Sequence, residues 1–375
     1  MKKIISDLLS QSEGNTISFQ KFMETVLYHP KKGYYSRAEN KIGSDGDFYT
    51  SSNVGDIFGR LLGRWFLQIF EKTSLPLEIL EIGGGTGKIA GDLLSFIKEQ
   101  SPAIANKLQY TIVERSPFHQ DLQRQRLNDF KNVRFVQDIE SINDFDGIVF
   151  SNELFDAFPV QIIEKKNGQL FELFVGMDED SFIEKLKKLE DETILTYLHK
   201  YNVRLNEGQR LEIPLMMEHY FSSLLEKLNH AVLLTIDYGY TSEEWSLPEH
   251  RQGSIRGFYK HKLIEHPFSN LGEMDLTTHI HFDTLLEIGK EKGVHSDSLL
   301  EQSRFLLQAG ILEELQECFD PNPFSEISKR NRAVRNMLLP GGISSYFRTL
   351  IQVKDFPIDV DNLFFNKSWL DTKIP

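Results

Sequence analysis

Five acidic residues stand at or just past the ends of short aliphatic runs: Glu81, Glu114, Asp138, Glu153 and Asp237. The first opens the stretch Glu81-Ile82-Gly83-Gly84-Gly85-Thr86-Gly87-Lys88. A carboxylate beside backbone almost free of side chains offers partners of both signs. The acid suits an ammonium or a hydroxyl, and bare N–H groups suit an anion. Together they can hold a small molecule that carries an ammonium, a carboxylate and sugar hydroxyls. A lone acid after a strand is commonly a helix cap, and a tight glycine turn can bind nothing. Five acids in register, and four glycines whose backbone entropy packing alone seldom requires, argue for a ligand.

The elements that position these groups can be read from periodicity. Leu77 to Ile82 is short and aliphatic, as a buried parallel strand should be. Ile89, Leu93, Phe96 and Ile97 then recur on one face of a helix. Three ligands compete for the turn between them. A phosphate-cradling P-loop needs a hydroxyl residue after Gly-Lys, but Ile89 follows Lys88, and Ile82 stands where its first glycine should be. A dinucleotide fingerprint needs a third glycine where Lys88 stands. The spacing Glu81-x-Gly83-x-Gly85-x-Gly87 instead fits S-adenosylmethionine (SAM), which carries no phosphate. Its ammonium suits Glu81 and its carboxylate suits the turn.

The chain then alternates. Strands are expected over Gln109 to Glu114, Val133 to Asp138, Gly147 to Phe150 and Ala231 to Asp237, with a helix over Gln120 to Phe130. The pattern predicts an α/β fold: a Rossmann-like parallel sheet with helices on both faces, binding its ligand beyond the carboxyl ends of the strands. Glu114, about 30 residues past the glycine turn, is placed to take the ribose hydroxyls. Asp138 is placed to accept from the adenine amino group. Asn152, Glu153 and Asp156, in Ser151-Asn152-Glu153-Leu154-Phe155-Asp156-Ala157-Phe158-Pro159-Val160, are expected where the reacting methyl projects, with Asn152 also touching the cofactor. Methyl transfer is an in-line displacement that needs alignment, a lone pair and exclusion of water. Paired carboxylates would orient a cationic nucleophile such as a guanidinium. Asn152 and Asp156 could equally cap a following helix.

Four segments are expected. Residues 1–74 form a helical cap and a cofactor-proximal loop, and 75–160 the first half of the core. Residues 161–230 form an inserted hairpin and helical region, and 231–375 the second half with embellishments. Asn167-Gly168 marks the hairpin turn. Helices are expected over Ser181 to Lys200, Asp283 to Lys292 and Ser298 to Gln308, and a closing strand over Tyr346 to Val353. The loop Gly43 to Ser52 reads equally as functional or as a connector.

Composition narrows the partners. The 375 residues carry a net charge of −13, which argues against nucleic acid. Cys318 is the one cysteine, so neither an internal disulfide nor a thiolate metal cluster is expected. His279 and His281 share a side if extended but lack a third ligand at fixed spacing, so no metal is expected. No run approaches a membrane span, and Met1-Lys2-Lys3-Ile4-Ile5-Ser6-Asp7 is unlike an import leader. A cytoplasmic protein is expected.

An ordered set of motifs resembles the MidA-type SAM-dependent methyltransferases. They are Tyr28-His29-Pro30, Gly33-Tyr34-Tyr35, Gly46-Asp47-Phe48, Thr50-Ser51, Phe58-Gly59, the glycine turn, the 152–160 stretch, Asp237-Tyr238-Gly239, Gly253 to His261, and Asp275-Leu276-Thr277 with Phe282. That family includes a mitochondrial factor that methylates an arginine of a respiratory complex subunit. The resemblance implies a class I methyltransferase core with an amino-terminal cap and an insertion around the cleft. It implies that Gly46, Asp47, Thr50 and Ser51 approach SAM, and that the acceptor is a protein side chain, with arginine the expected one. A non-catalytic assembly protein and a small-molecule methyltransferase are the alternatives, and a homodimer is the assembly allowed for. Where the family commonly has a glutamate after Phe-Gly, this chain has Arg60, a base near the expected entrance.

Overall fold

The aliphatic runs assemble into one sheet. In the computed structural model, which describes residues 1–37, 55–260, 262–317, 322–339 and 346–364, its strand order is Val294–Glu301, Phe347–Lys354, Leu228–Tyr240, Phe145–Asn152, Glu78–Ile82, Gln109–Val113 and Val133–Val136. Four neighbouring pairs are parallel: Glu78–Ile82 with Gln109–Val113 and with Phe145–Asn152, Gln109–Val113 with Val133–Val136, and Phe145–Asn152 with Leu228–Tyr240. The edge pair Val294–Glu301 and Phe347–Lys354 is antiparallel. Ile82 is level with Val113 on one side and Ser151 on the other, so the residues that follow these strands emerge at one end.

Two compact units result. One comprises Thr50–Asn152, Leu224–Asp237 and Gly289–Pro375, and holds this sheet. The other comprises Met1–Tyr49, Glu153–Ser223 and Tyr238–Ile288.

Within the sheet unit, the helix Ile57–Lys72 lies directly against Lys88–Gln100. Gly59 and Gly63 permit the approach: a Cβ on Gly59 would stand 2.5 Å from Asp92 Cβ, and one on Gly63 3.0 Å from Leu93 O. Gly147 has φ +147°, and a Cβ there would collide with the carbonyl oxygen of Glu78 on the neighbouring strand. Gly147→Ala is therefore expected to destabilise the protein by about 2 kcal/mol, read as a lower urea midpoint at unchanged slope.

In the second unit, Gln169–Asp178 is the spine of an antiparallel sheet with Gln161–Lys166, Ser181–Lys188 and the short Ile17–Ser18, and Arg210–Ile213 pairs Gln161–Lys166. The helix Phe19–Tyr28 buries Phe19, Phe22, Met23, Val26 and Leu27 in one apolar cluster with Val160, Ile162, Leu173 and Val175. Ser18 caps it, its side chain accepting from Lys21 N. A smaller sheet joins Arg256–Tyr259 to Lys262–Ile264 and Asp275–Thr277.

Two expected helices are corrected. Ser181 to Lys200 is a strand, Ser181–Lys188, followed by a helix, Glu192–Lys200, whose cap Asp191 accepts from Thr193 N. The charged segment is recruited as a strand because it pairs with Gln169–Asp178 from Asp178↔Ser181 to Phe171↔Lys188. Ser298 to Gln308 is likewise divided, with Val294–Glu301 extended and Gln302–Gln308 helical. There the partner is Phe347–Lys354, some fifty residues away, and its ladder outweighs helix propensity.

Candidate active site

The glycine turn adopts the backbone its residue types allow. Gly83, Gly85 and Gly87 have φ of 74°, 50° and 71°, a region that side chains with a Cβ seldom enter. Gly84 cannot carry one either, since its Cβ would stand 2.8 Å from Ile112 Cγ2 and 3.3 Å from Glu81 Cδ. Gly87 then caps the helix Lys88–Gln100. Lys88, the residue that suggested a phosphate loop, donates to Gly55 O and Asp92 Oδ2, both at 2.5 Å. It fastens the helix instead of facing the turn.

Glu81 is 2 % exposed, and Tyr110 Oη donates to its Oε2 at 3.0 Å. Burial raises its pKa from 4.5 to about 8, opposed by the Tyr110 hydrogen bond and reinforced by the charge of Glu114. The native state thus holds a proton on Glu81 that the unfolded chain releases. The Glu81 contribution to stability is greatest at low pH and falls as pH rises from about 4.5 to about 8, by up to about 1.4 kcal/mol per pH unit. Glu81→Gln is expected to flatten this dependence, making the ligand-free protein more stable than the parent at pH 8 while weakening cofactor binding. Urea titrations at pH 5, 7 and 8, with calorimetric titration of SAM, check both halves.

Glu114 is buried at the end of Gln109–Val113. Its Oε1 accepts from Ser116 N at 2.9 Å, and the Gly85 N–H also serves the carboxylate. Burial raises its pKa, and these hydrogen bonds hold it back. Glu81, the glycine turn and Glu114 therefore form one cluster. Asp138 is exposed and begins the short turn Ile139–Ser141 without a side-chain cap bond. Asn152 ends its strand half-buried, and Asp237 is fully buried in Leu228–Tyr240.

The remaining acids belong to the second unit. Glu153 has φ +51°, left-handed and unusual for a residue with a side chain. Asp156 is 5 % exposed within the turn Phe155–Ala157, and its carbonyl accepts from Thr278 N at 2.9 Å. The short turn Phe155–Ala157 follows Asn152, and Leu154 at its start makes no side-chain cap bond. Tyr28 Oη donates to Ala157 O at 2.9 Å, and Tyr35 Oη lies 3.0 and 2.9 Å from the two oxygens of Asp275. Phe155 and Phe158 pack edge-on with Tyr220. Gly46, Asp47, Thr50 and Ser51 lie outside the described residues. His279 and His281 are buried, and burial lowers their pKa values to about 3 and about 4. Among the described residues no three His, Cys, Asp or Glu side chains gather as a metal site.

Two residues emerge only in the structure. Tyr110 is the partner of Glu81. Gln123, fully buried on Pro117–Arg126, donates through Nε2 to Gly85 O at 2.8 Å and Glu114 Oε2 at 3.4 Å, while its Oε1 has no partner among the described residues. The expected Gln120-to-Phe130 helix includes Gln123, but a glutamine there carries no signal of what it faces. Arg60, the base noted near the entrance, pairs with Glu99 at 3.0 Å, Glu314 at 3.6 Å and Asp56 at 3.7 Å. Its charge is absorbed within the sheet unit.

The arrangement fits SAM by its chemistry: a buried acid, a turn whose three left-handed positions are all glycine, and a second buried acid beside it. The family model described as "Putative S-adenosyl-L-methionine-dependent methyltransferase" matches residues 61–300. The chain belongs to that family. This methyltransferase is similar to the crystal structure of a Burkholderia thailandensis superfamily member bound to S-adenosyl-homocysteine, with TM-score 0.85 and 26 % identity, covering 96 % of this chain and 93 % of that one. Among curated proteins, the Drosophila melanogaster homologue of the mitochondrial protein arginine methyltransferase NDUFAF7 is 27 % identical, over 77 % of this chain and 70 % of that protein. The human protein is 24 % identical, over 87 % and 75 %. The methyltransferase thus has the expected α/β class I fold, and SAM is its methyl donor. The cytoplasmic expectation is corrected, since these curated relatives are named as mitochondrial. An amino terminus unlike an import leader does not specify a compartment. No helix among the described residues is long and apolar enough to cross a membrane.

Proposed function

We propose that this methyltransferase acts on an arginine side chain of a protein. The observation that carries the reading is the match, along most of the chain, to proteins named as arginine methyltransferases. Local chemistry supports it: the unit that follows Asn152 holds Glu153, Asp156 and Asp275, acids suited to a cationic acceptor.

In this reading Glu81 holds the cofactor ammonium, the backbone of Gly83, Gly85 and Gly87 its carboxylate, Glu114 the ribose and Asp138 the adenine amino group. Asn152 lies beside the cofactor. When bound, SAM supplies an electrophilic methyl on a sulfonium. Glu153 and Asp156 clamp the guanidinium by charge-assisted hydrogen bonds, which aligns one nitrogen lone pair. Transfer would form the N–C bond as the sulfonium S–C bond breaks and its electron pair returns to sulfur, while that nitrogen sheds a proton to a neighbouring carboxylate. Phe155 and Phe158 keep water away.

The reading is tested with labelled SAM and extract from cells lacking the protein. Label is expected in protein and, after hydrolysis, in methylarginine. Label confined to small molecules or to another amino acid would overturn the acceptor assignment.

A further inference from the structure

Behind Asp156 lies a hydrogen-bonded network that the reaction as described does not use. Glu212 is 1 % exposed on the strand Arg210–Ile213. Its Oε1 accepts from Ser254 N at 2.9 Å and Ile255 N at 3.3 Å, and its Oε2 from Ser254 N and Ser254 Oγ, both at 3.1 Å. Two successive N–H groups turned onto one carboxylate form an anion nest. Gly253, at φ +73°, makes it possible, because a Cβ there would collide with Oε1 of Glu212.

Ser254 passes the constraint on. Its hydroxyl donates to Glu212, its oxygen accepts from His279 N at 2.9 Å, and it shares a 2.9 Å hydrogen bond with the Thr278 hydroxyl, which also reaches His279 O at 3.4 Å. Thr278 N in turn donates to Asp156 O at 2.9 Å. Every one of these residues lies in the same unit. One buried acid therefore sets one serine, the serine sets the Thr278-His279 backbone, and that backbone holds the turn carrying Asp156.

We propose that Glu212, through Ser254 and Thr278, is a positioning residue that fixes the Asp156 turn for catalysis. The proposal rests on the reading of Asp156 given above. A purely structural network would account for the same contacts, but it predicts a different response. Burying an ionisable acid to hold a loop costs stability that an apolar contact would not. Such a residue is informative when its removal changes rate more than folding.

The test uses the full chain, labelled SAM at saturation and protein extract from cells lacking the chain as acceptor. Thr278→Val keeps the shape and the backbone N–H but deletes the hydroxyl. Thr278→Ser keeps the hydroxyl and deletes a methyl. We expect Thr278→Val and Ser254→Ala to lower the initial rate at least about 10-fold, with the SAM dissociation constant within about twofold of the parent. Thr278→Ser should stay within about twofold in rate. On an Asp156→Asn background, Ser254→Ala should cause no further loss.

Ser254→Ala and Thr278→Val at parental rate, beside an inactive Asp156→Asn, would overturn the positioning role and leave the Asp156 reading standing. Equal losses in Thr278→Val and Thr278→Ser would mark packing and overturn it too. An Asp156→Asn protein with parental rate would overturn the reading beneath it.

Discussion

Gly85→Val is expected to lose SAM binding by at least about 100-fold in calorimetric titration, equivalent to about 2.7 kcal/mol. Two effects add. Valine at φ +50° is strained, since a β-branched residue in the left-handed region is a genuine outlier. Relief of that strain would rotate the turn, and the Gly85 N–H that serves the Glu114 carboxylate would rotate with it. The loss therefore reaches both the methionine and the ribose end of the site. The protein should still fold, because the turn follows a strand already paired on both sides. Unchanged SAM affinity in a folded Gly85→Val protein would remove the glycine turn from the cofactor site.

Asp156→Asn is expected to keep SAM affinity within about twofold while turnover falls at least about 100-fold, the usual scale for a group that orients and deprotonates a nucleophile. The separation follows from where the residues lie. Glu81, Glu114 and the glycine turn belong to the sheet unit, and Asp156 to the other. The amide leaves in place the backbone bond in which the carbonyl of residue 156 accepts from Thr278 N. Glu153→Gln should behave alike, losing turnover and retaining the cofactor. Activity at parental level in both variants would take the two acids out of the reaction.

Much of the sheet unit was legible in the sequence because its signals are local. A buried parallel strand is short and rich in apolar residues, and Glu78–Ile82, Gln109–Val113 and Phe145–Asn152 each carry such a stretch. The Asn167-Gly168 turn likewise joins two paired strands where expected. What failed was decided at long range. Ser181–Lys188 and Val294–Glu301 carry helix-compatible residues and become strands because a partner backbone lies alongside. Tyr110 and Gln123 escaped for a related reason. Their importance lies in facing Glu81 and Glu114, and no spacing within one segment reports what faces what. The network from Glu212 to Asp156 joins four stretches of chain and was equally invisible.

The chain passes between the two units at 49/50, 152/153, 223/224, 237/238 and 288/289. Neither unit is a contiguous cassette, so no single cut liberates one and no simple gene fusion could lend one to another scaffold. The residues of the two units are consequently inherited together. A lineage that changed its methyl acceptor would have had to do so by substitution in place, and not by exchanging a module.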